Sequence, residues 1–139
     1  MRLPGPTWPW QAIHKSGFSD LVSLHPYSLD PAPLTVIFRA QLEDLVHGGP
    51  PGCPDRELRL IREAVRATIQ SLHKKRGVVV HCHGGRGRTG TVLGCVLREL
   101  DYDGEDVVSY LNEIHIARGK SGWPESTWQG DVVRRWPEV

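Results

Sequence analysis

The stretch from Val78 to Gly90, VVVHCHGGRGRTG, constrains this chain more than any other. Val78, Val79 and Val80 show no polar alternation, the pattern of a strand covered on both faces. The strand ends at His81, Cys82 follows at once, and Gly84, Gly85 and Gly87 crowd the residues before Arg88. Thr89 then opens a segment in which Val92, Leu93, Val96, Leu97 and Leu100 recur at helical spacing. The chain must therefore pass from a buried strand, through a glycine-rich turn, into a helix.

The remaining pattern repeats this alternation. Trp8, Pro9 and Trp10 begin a short helix that stops at Gly17, with proline near its start and glycine past its end. Leu21 to Leu24 reads as a short buried strand and Thr35 to Arg39 as a second, rich in β-branched residues. Between them HPYSLDPAPL, with three prolines, is a loop, and HGGPPGCP at 47–54 is another. Leu58, Ile61, Val65, Ile69 and Leu72 predict an amphipathic helix over about 55–75. Val107, Val108, Leu111 and Ile114 mark a further helix, and Pro124 opens a last one reaching about Trp136. The expected fold is α/β: a mostly parallel central sheet flanked by helices, one domain over 1–139.

Composition narrows the setting. Hydrophobic residues make up 39% and charged residues 24%, which suits a packed core and not disorder. Cys53, Cys82 and Cys95 are too few and odd in number for a disulfide scaffold. No apolar run is long enough to span a membrane, and MRLPGPTWPW lacks the core of a signal peptide. A reduced, cytoplasmic protein is expected. The net charge is +1, so a nucleic-acid partner is not expected. Charge is uneven, however: −1 over residues 1–54, +6 over 55–100 and −4 over 101–139. Arg56, Arg59, Arg62 and Arg66 lie on one helix and suit a solvated face; Arg86 and Arg88 lie elsewhere.

The glycine turn carries the chemistry. Glycines let successive backbone N–H groups turn inward into an anion-binding nest. The helix that follows points its positive end at the same place. Arg88 closes the ring with a two-pronged contact to a tetrahedral oxyanion. His83, Gly84, Gly85, Arg86, Gly87 and Arg88 are thus the expected phosphate-binding residues. A cysteine at the floor of such a cradle is expected to ionise, because every neighbour favours negative charge, and to lie in line for attack on phosphorus.

His81, Cys82, Gly85, Arg88, Thr89 and Gly90 resemble the signature of the cysteine-dependent protein tyrosine phosphatase superfamily. The short chain is similar to the small dual-specificity branch, and to compact bacterial members in particular, with weaker likeness from about Gly17 to Trp136. The resemblance implies a cysteinyl-phosphate intermediate, no metal and no cofactor. It gives Thr89 the task of helping the sulfur leave in the second step, and His81 that of steadying the loop. It also implies an aspartic acid that protonates the leaving oxygen. Asp44, in the apolar–acidic stretch QLEDL after a strand, and Asp55, after Pro54 at the start of the long helix, are the candidates. Asp44 is preferred, because a helix cap is a sufficient account of Asp55. The family's usual separation from the cysteine falls between the two, so the loop 45–54 reads as lengthened. Glu43 and His47 are outside candidates. Trp123-Pro124-Glu125 imitates the acid loop of larger relatives but follows the cysteine instead of preceding it. Glu125 and Gln129 are candidates for orienting the hydrolytic water; ordinary first-turn and surface helix residues are the competing account.

Three other readings of the segment compete. Gly85 to Gly90 fits the dinucleotide pattern G-x-G-x-x-G, but that unit needs a second strand ending in an acid about twenty residues on. His81, Cys82 and His83 contain metal-ligating types, yet neighbours on a strand point to opposite faces. Cys82 as a buried structural thiol, the reading that suits Cys95, leaves the glycines and Arg88 without a reason. The expected partner is a phosphorylated protein or peptide. His83 and Arg86 make an inositol phosphate or phosphoinositide the alternative, since a basic loop favours several phosphates. A phosphate-binding module without activity is the contrasting class. Cys53 is a further thiol for a reversible bridge with Cys82.

Overall fold

The computed structural model describes residues 9–25, 30–82 and 86–139. His83, Gly84 and Gly85 of the glycine turn, and Trp8 before the first helix, lie outside the described residues. In chain order the elements are α1 (Trp10–Lys15), β1 (Phe18–Ser23), β2 (Thr35–Arg39), α2 (Pro54–His73), β3 (Gly77–His81), α3 (Gly87–Glu99), α4 (Gly104–Ala117) and α5 (Thr127–Arg135).

The three strands form one sheet in the order β2-β1-β3, and both pairings are parallel. Leu21 of β1 is in register with Val36 of β2 and with Val79 of β3. Because β1 is central, its apolar run is the continuously buried one: Leu21, Val22 and Leu24 have no exposed surface. The valine run is covered on both faces, with Val79 packed on one and Val78 and Val80 on the other, but it is only half-buried, because β3 lies at the edge of the sheet.

Alternation along the strands divides the core between two faces. Leu21, with Trp10 and Leu34, packs on one face against Ile13, Val36 and Val79. The other face carries Val22, Val78 and Val80 and is covered by Ile61, Ala64 and Val65 of α2 and Val92, Cys95 and Val96 of α3, and Val107 and Leu111 of α4 with Val132 and Val133 of α5 extend the same core behind α3. Burying such side chains is worth about 1.5–3 kcal/mol each for the larger aliphatics, which is why the longer helices share this side. Leu72 and Leu100 extend the helical pattern on paper but are exposed, since they stand at helix ends beyond the layer.

Charge also ties helix to sheet. Asp20 of β1 is buried, and Arg76 donates to both its carboxylate oxygens at 2.8 Å, with Ser71 Oγ donating at 2.5 Å. These bonds hold the carboxyl below its ordinary range; desolvation opposes them and loses. They also fix the end of α2 to the beginning of β1.

Candidate active site

In a parallel sheet the carboxyl ends of all strands lie on one edge, and groups that follow different strands meet there. Past β2 the chain stays paired to β1, with Ala40 N–H donating to Ser23 O at 3.0 Å and Leu42 N–H to Leu24 O at 3.4 Å. Leu24 N–H donates to His81 O at 2.9 Å. The residues after β2 and after β3, Leu42 to Asp44 and Cys82, are thereby brought to one edge.

There Asp44, Cys82, Arg86, Gly87, Arg88, Lys120 and Glu125 line a cavity of about 130 Å³. Cys82 is 3% exposed, and Thr89 Oγ1 donates to its Sγ across 3.0 Å. Arg88 is buried; one guanidinium nitrogen donates to Leu42 O at 3.5 Å and another lies 3.8 Å from Asp44 Oδ2. Asp44 is half exposed, and its Oδ1 accepts Val46 N–H at 3.1 Å, an Asx-type turn that orients the carboxylate. α3 begins at Gly87, two residues before the expected Thr89, so Arg88 and Thr89 both sit in its first turn. The N–H groups of a helix's first turn lack intrahelical partners and favour an anion.

Asp55 does not line this cavity; it borders a separate one with Arg59, Arg62 and Glu63. Nor is it a cap: Cys53 holds the N-cap position of α2, without a side-chain cap bond, and Asp55 is a first-turn acid that complements the helix dipole. Glu43 and His47 brace the loop around Asp44. Glu43 Oε1 accepts Gly52 N–H at 2.8 Å, its Oε2 lies 3.5 Å from His47 Nε2, and Gly49 N–H donates to His47 Nδ1 at 3.0 Å. Glu57, from α2, accepts Glu43 N–H at 3.1 Å. Burial pushes Glu57 above its ordinary value, although Arg56 and Arg88 pull it down.

Behind the loop, His81 is buried, and desolvation lowers its pKa despite a backbone hydrogen bond involving Cys82. Burial thus favours the neutral form of the His81 ring.

The α4–α5 segment closes the opposite wall. α5 begins at Thr127 rather than at Pro124, because Ser126 caps it and Gln129 completes a capping box. Gln129 was open to reading as a surface helix residue; it is buried, and its Oε1 accepts Glu125 N–H at 3.0 Å and Ser126 N–H at 3.2 Å. Trp123 is buried against α3, with Nε1 donating to Gly87 O at 3.3 Å. The approach is close enough to require glycine at 90, where a Cβ would lie 2.3 Å from Nε1 of the buried Trp123 indole; at Gly87 a Cβ would meet the Glu125 carboxylate and displace it. Arg86 donates to Ser121 Oγ at 2.6 Å and stands 3.4 Å from Glu125 Oε2, so this loop cation is held by the neighbouring segment. Lys120 and Ser121 went unnoticed in the sequence. Neither belongs to a motif, and only the return of the chain after α4 brings them here.

After α3 the chain enters α4, and no strand follows among the described residues, so the dinucleotide reading of Gly85–Gly90 loses the strand it needs. Residues 52–100 match the family model described as a polymorphic toxin system DSP-PTPase phosphatase. Among curated proteins none matches the chain. Solved structures share its fold. Tk-PTP in its active form superposes with a TM-score of 0.68 at 22% identity, covering 93% of this chain and 84% of that one. A glycine-to-alanine variant of Tk-PTP gives 0.69 at 21%, covering 99% and 87%. Kinase associated phosphatase, with serine for its catalytic-site cysteine, gives 0.64 at 17%, covering 91% and 72%. The three-stranded parallel sheet thus belongs to a fold shared with these phosphatases, and the segment that matches the phosphatase family model, residues 52–100, is the one that sets Cys82 beside Thr89 and Arg88.

Proposed function

We propose that this chain hydrolyses phosphomonoesters of phosphorylated proteins or peptides in two displacements at Cys82, in a reducing cytoplasm that keeps that thiol free. The observation that carries the mechanism is the 3.0 Å contact from Thr89 Oγ1 to Cys82 Sγ, in a cavity shared with Arg88 and Asp44. In the first step the sulfur attacks phosphorus, the bond to the leaving oxygen breaks, and Asp44 supplies that oxygen's proton. Arg88 and the amides of the loop 83–88 hold the equatorial oxygens. In the second step water attacks the cysteinyl phosphate and gives its proton to Asp44. The sulfur departs with its electron pair, stabilised by the Thr89 hydroxyl. Glu125 supports orientation of that water from the cavity wall, and Gln129 holds Glu125 through its backbone N–H. His81 supports the loop from beneath.

The side chains complete both steps, so turnover of para-nitrophenyl phosphate is expected to persist in EDTA, to stop with vanadate and to vanish in Cys82→Ser. Rapid quenching of wild type with labelled substrate should trap phosphate on Cys82. Turnover by Cys82→Ser at the wild-type rate would refute the mechanism. An inositol phosphate is the second reading, favoured by the basic lining Arg86 and Lys120. Comparing phosphopeptides with inositol phosphates separates the two.

A further inference from the structure

Five charged side chains line the cavity around Cys82: the cations Arg86, Arg88 and Lys120, and the carboxylates Asp44 and Glu125. Arg88 faces Asp44 at 3.8 Å, and Arg86 faces Glu125 at 3.4 Å while also bonding Ser121. Lys120 forms no ion pair among the described residues. Three cations against two carboxylates leave one unbalanced positive charge, and it belongs to the one cation with no assigned partner.

The backbone of Lys120 is placed by the end of α4. Gly119 adopts φ +79, a left-handed conformation that suits glycine. Gly119 N–H donates to Ile116 O at 3.0 Å, and Lys120 N–H donates to His115 O at 2.9 Å. These are the paired bonds of a Schellman motif, which turns the chain off the helix axis. The next residue, Ser121, is gripped by Arg86 of the signature loop. Lys120 is thus an exposed ammonium carried on a backbone fixed at both sides, at the rim of the cavity.

We propose that Lys120 is a specificity-determining residue that pairs with the carboxylate of an acidic residue flanking the phosphorylated one, so that acidic phosphopeptides are the favoured substrates. This rests on the phosphatase reading of the same cavity. Arg88 and the loop amides take the scissile phosphate, which leaves Lys120 for one further negative charge. An inositol polyphosphate would bring several more, toward a rim that also holds Asp44 and Glu125, and would meet repulsion there. Two nitrogens of the Arg86 guanidinium are already taken up by Ser121 and Glu125, so its charge is partly balanced where that of Lys120 is not.

The test uses the full chain and three phosphopeptides that are identical except for Asp, Asn or Lys on either side of the phosphorylated residue, with an inositol polyphosphate as a fourth substrate. Wild type is expected to favour the acidic peptide over the neutral one by about two- to fivefold in kcat/KM, the scale of an exposed ion pair. The difference should lie in KM and fade as salt is raised. Lys120→Gln should remove the preference, and Lys120→Glu should invert it toward the lysine-flanked peptide. Equal use of the three peptides by wild type, a preference that survives Lys120→Gln, or faster turnover of the inositol polyphosphate would overturn the assignment. In each of those cases hydrolysis itself leaves the phosphatase reading standing. If wild type turns over none of the four substrates, nor para-nitrophenyl phosphate, both fall.

Discussion

Asp44 and Glu57 illustrate two opposite uses of a carboxylate within one short region. Asp44 is half exposed beside Arg88, on the cavity. Removing its proton-donating capacity in Asp44→Asn is expected to slow alkyl phosphate hydrolysis by about 10²–10⁴-fold, with far less effect on para-nitrophenyl phosphate, whose leaving group needs no proton. Equal losses on both substrates would count against the assignment, and Asp55→Asn would be the next variant to measure. Glu57 is buried and braces the same loop by accepting Glu43 N–H. Because burial raises its pKa, ionised Glu57 costs stability at neutral pH, and the cost is relieved as pH falls through the raised value. Glu57→Gln, which keeps an acceptor for Glu43, should leave urea stability at neutral pH unchanged or higher, whereas Glu57→Ala should lower it. Gly90→Ala is a steric test: the new methyl group meets the buried Trp123 indole, and a loss of about 1–3 kcal/mol in chemical denaturation is expected.

Helix ends matter more than helix middles for what surrounds Cys82. α5 begins at a capping box whose Gln129 also fixes Glu125, and α4 ends in the turn that carries Lys120. The other end of α4 provides a control. Asp103 caps it, accepting the N–H groups of Glu105 and Asp106 at 3.1 and 3.2 Å. Asp103→Ala should cost about 1 kcal/mol of stability and leave kcat/KM per folded molecule unchanged. A drop in kcat/KM would show that α4 transmits strain to Lys120 and the cavity. The elements themselves were readable from periodicity, as at β2, where Thr35 to Arg39 is both the expected and the observed strand. Their ends were not. Pro124 signals a helix start, yet the backbone partners that terminate α5 come from Ser126 and Gln129, and Ser126 Oγ also reaches across to Gly49 O at 2.7 Å. A non-local bond of that kind leaves no local trace.

For the whole molecule, acid sensitivity should have two stages. His81 has a lowered pKa, so as pH falls below 6.5, the ordinary histidine value, the unfolded chain takes up a proton that the folded one refuses, and stability declines. Asp20 also has a lowered pKa, so its contribution is fully present above the ordinary carboxylate value of 3.8 and is lost as pH falls below that, through the folded value. Glu57 acts in the opposite sense between the stages. Urea midpoints across this range should show the lower stage weakened in Arg76→Gln, which removes the partner of Asp20, with the upper stage retained. An unchanged lower stage would mean that the Asp20 network contributes little.

Sequence alone was sufficient for the order of strands and helices, for the turn from Cys82 to Thr89 and for the resemblance it carries, because each depends on residues close together in the chain. Hydrophobic period, glycine content and the spacing of Cys82 to Arg88 are local quantities. The tertiary structure decided which strand is central, that Asp44 and not Asp55 lines the cavity with Cys82, that Arg86 is held by Ser121 and Glu125, and that Lys120 stands at the rim. These follow from a parallel sheet gathering the ends of separate strands on one edge and from the packing of α5 on α3, contacts between residues far apart in sequence whose partners no local pattern names.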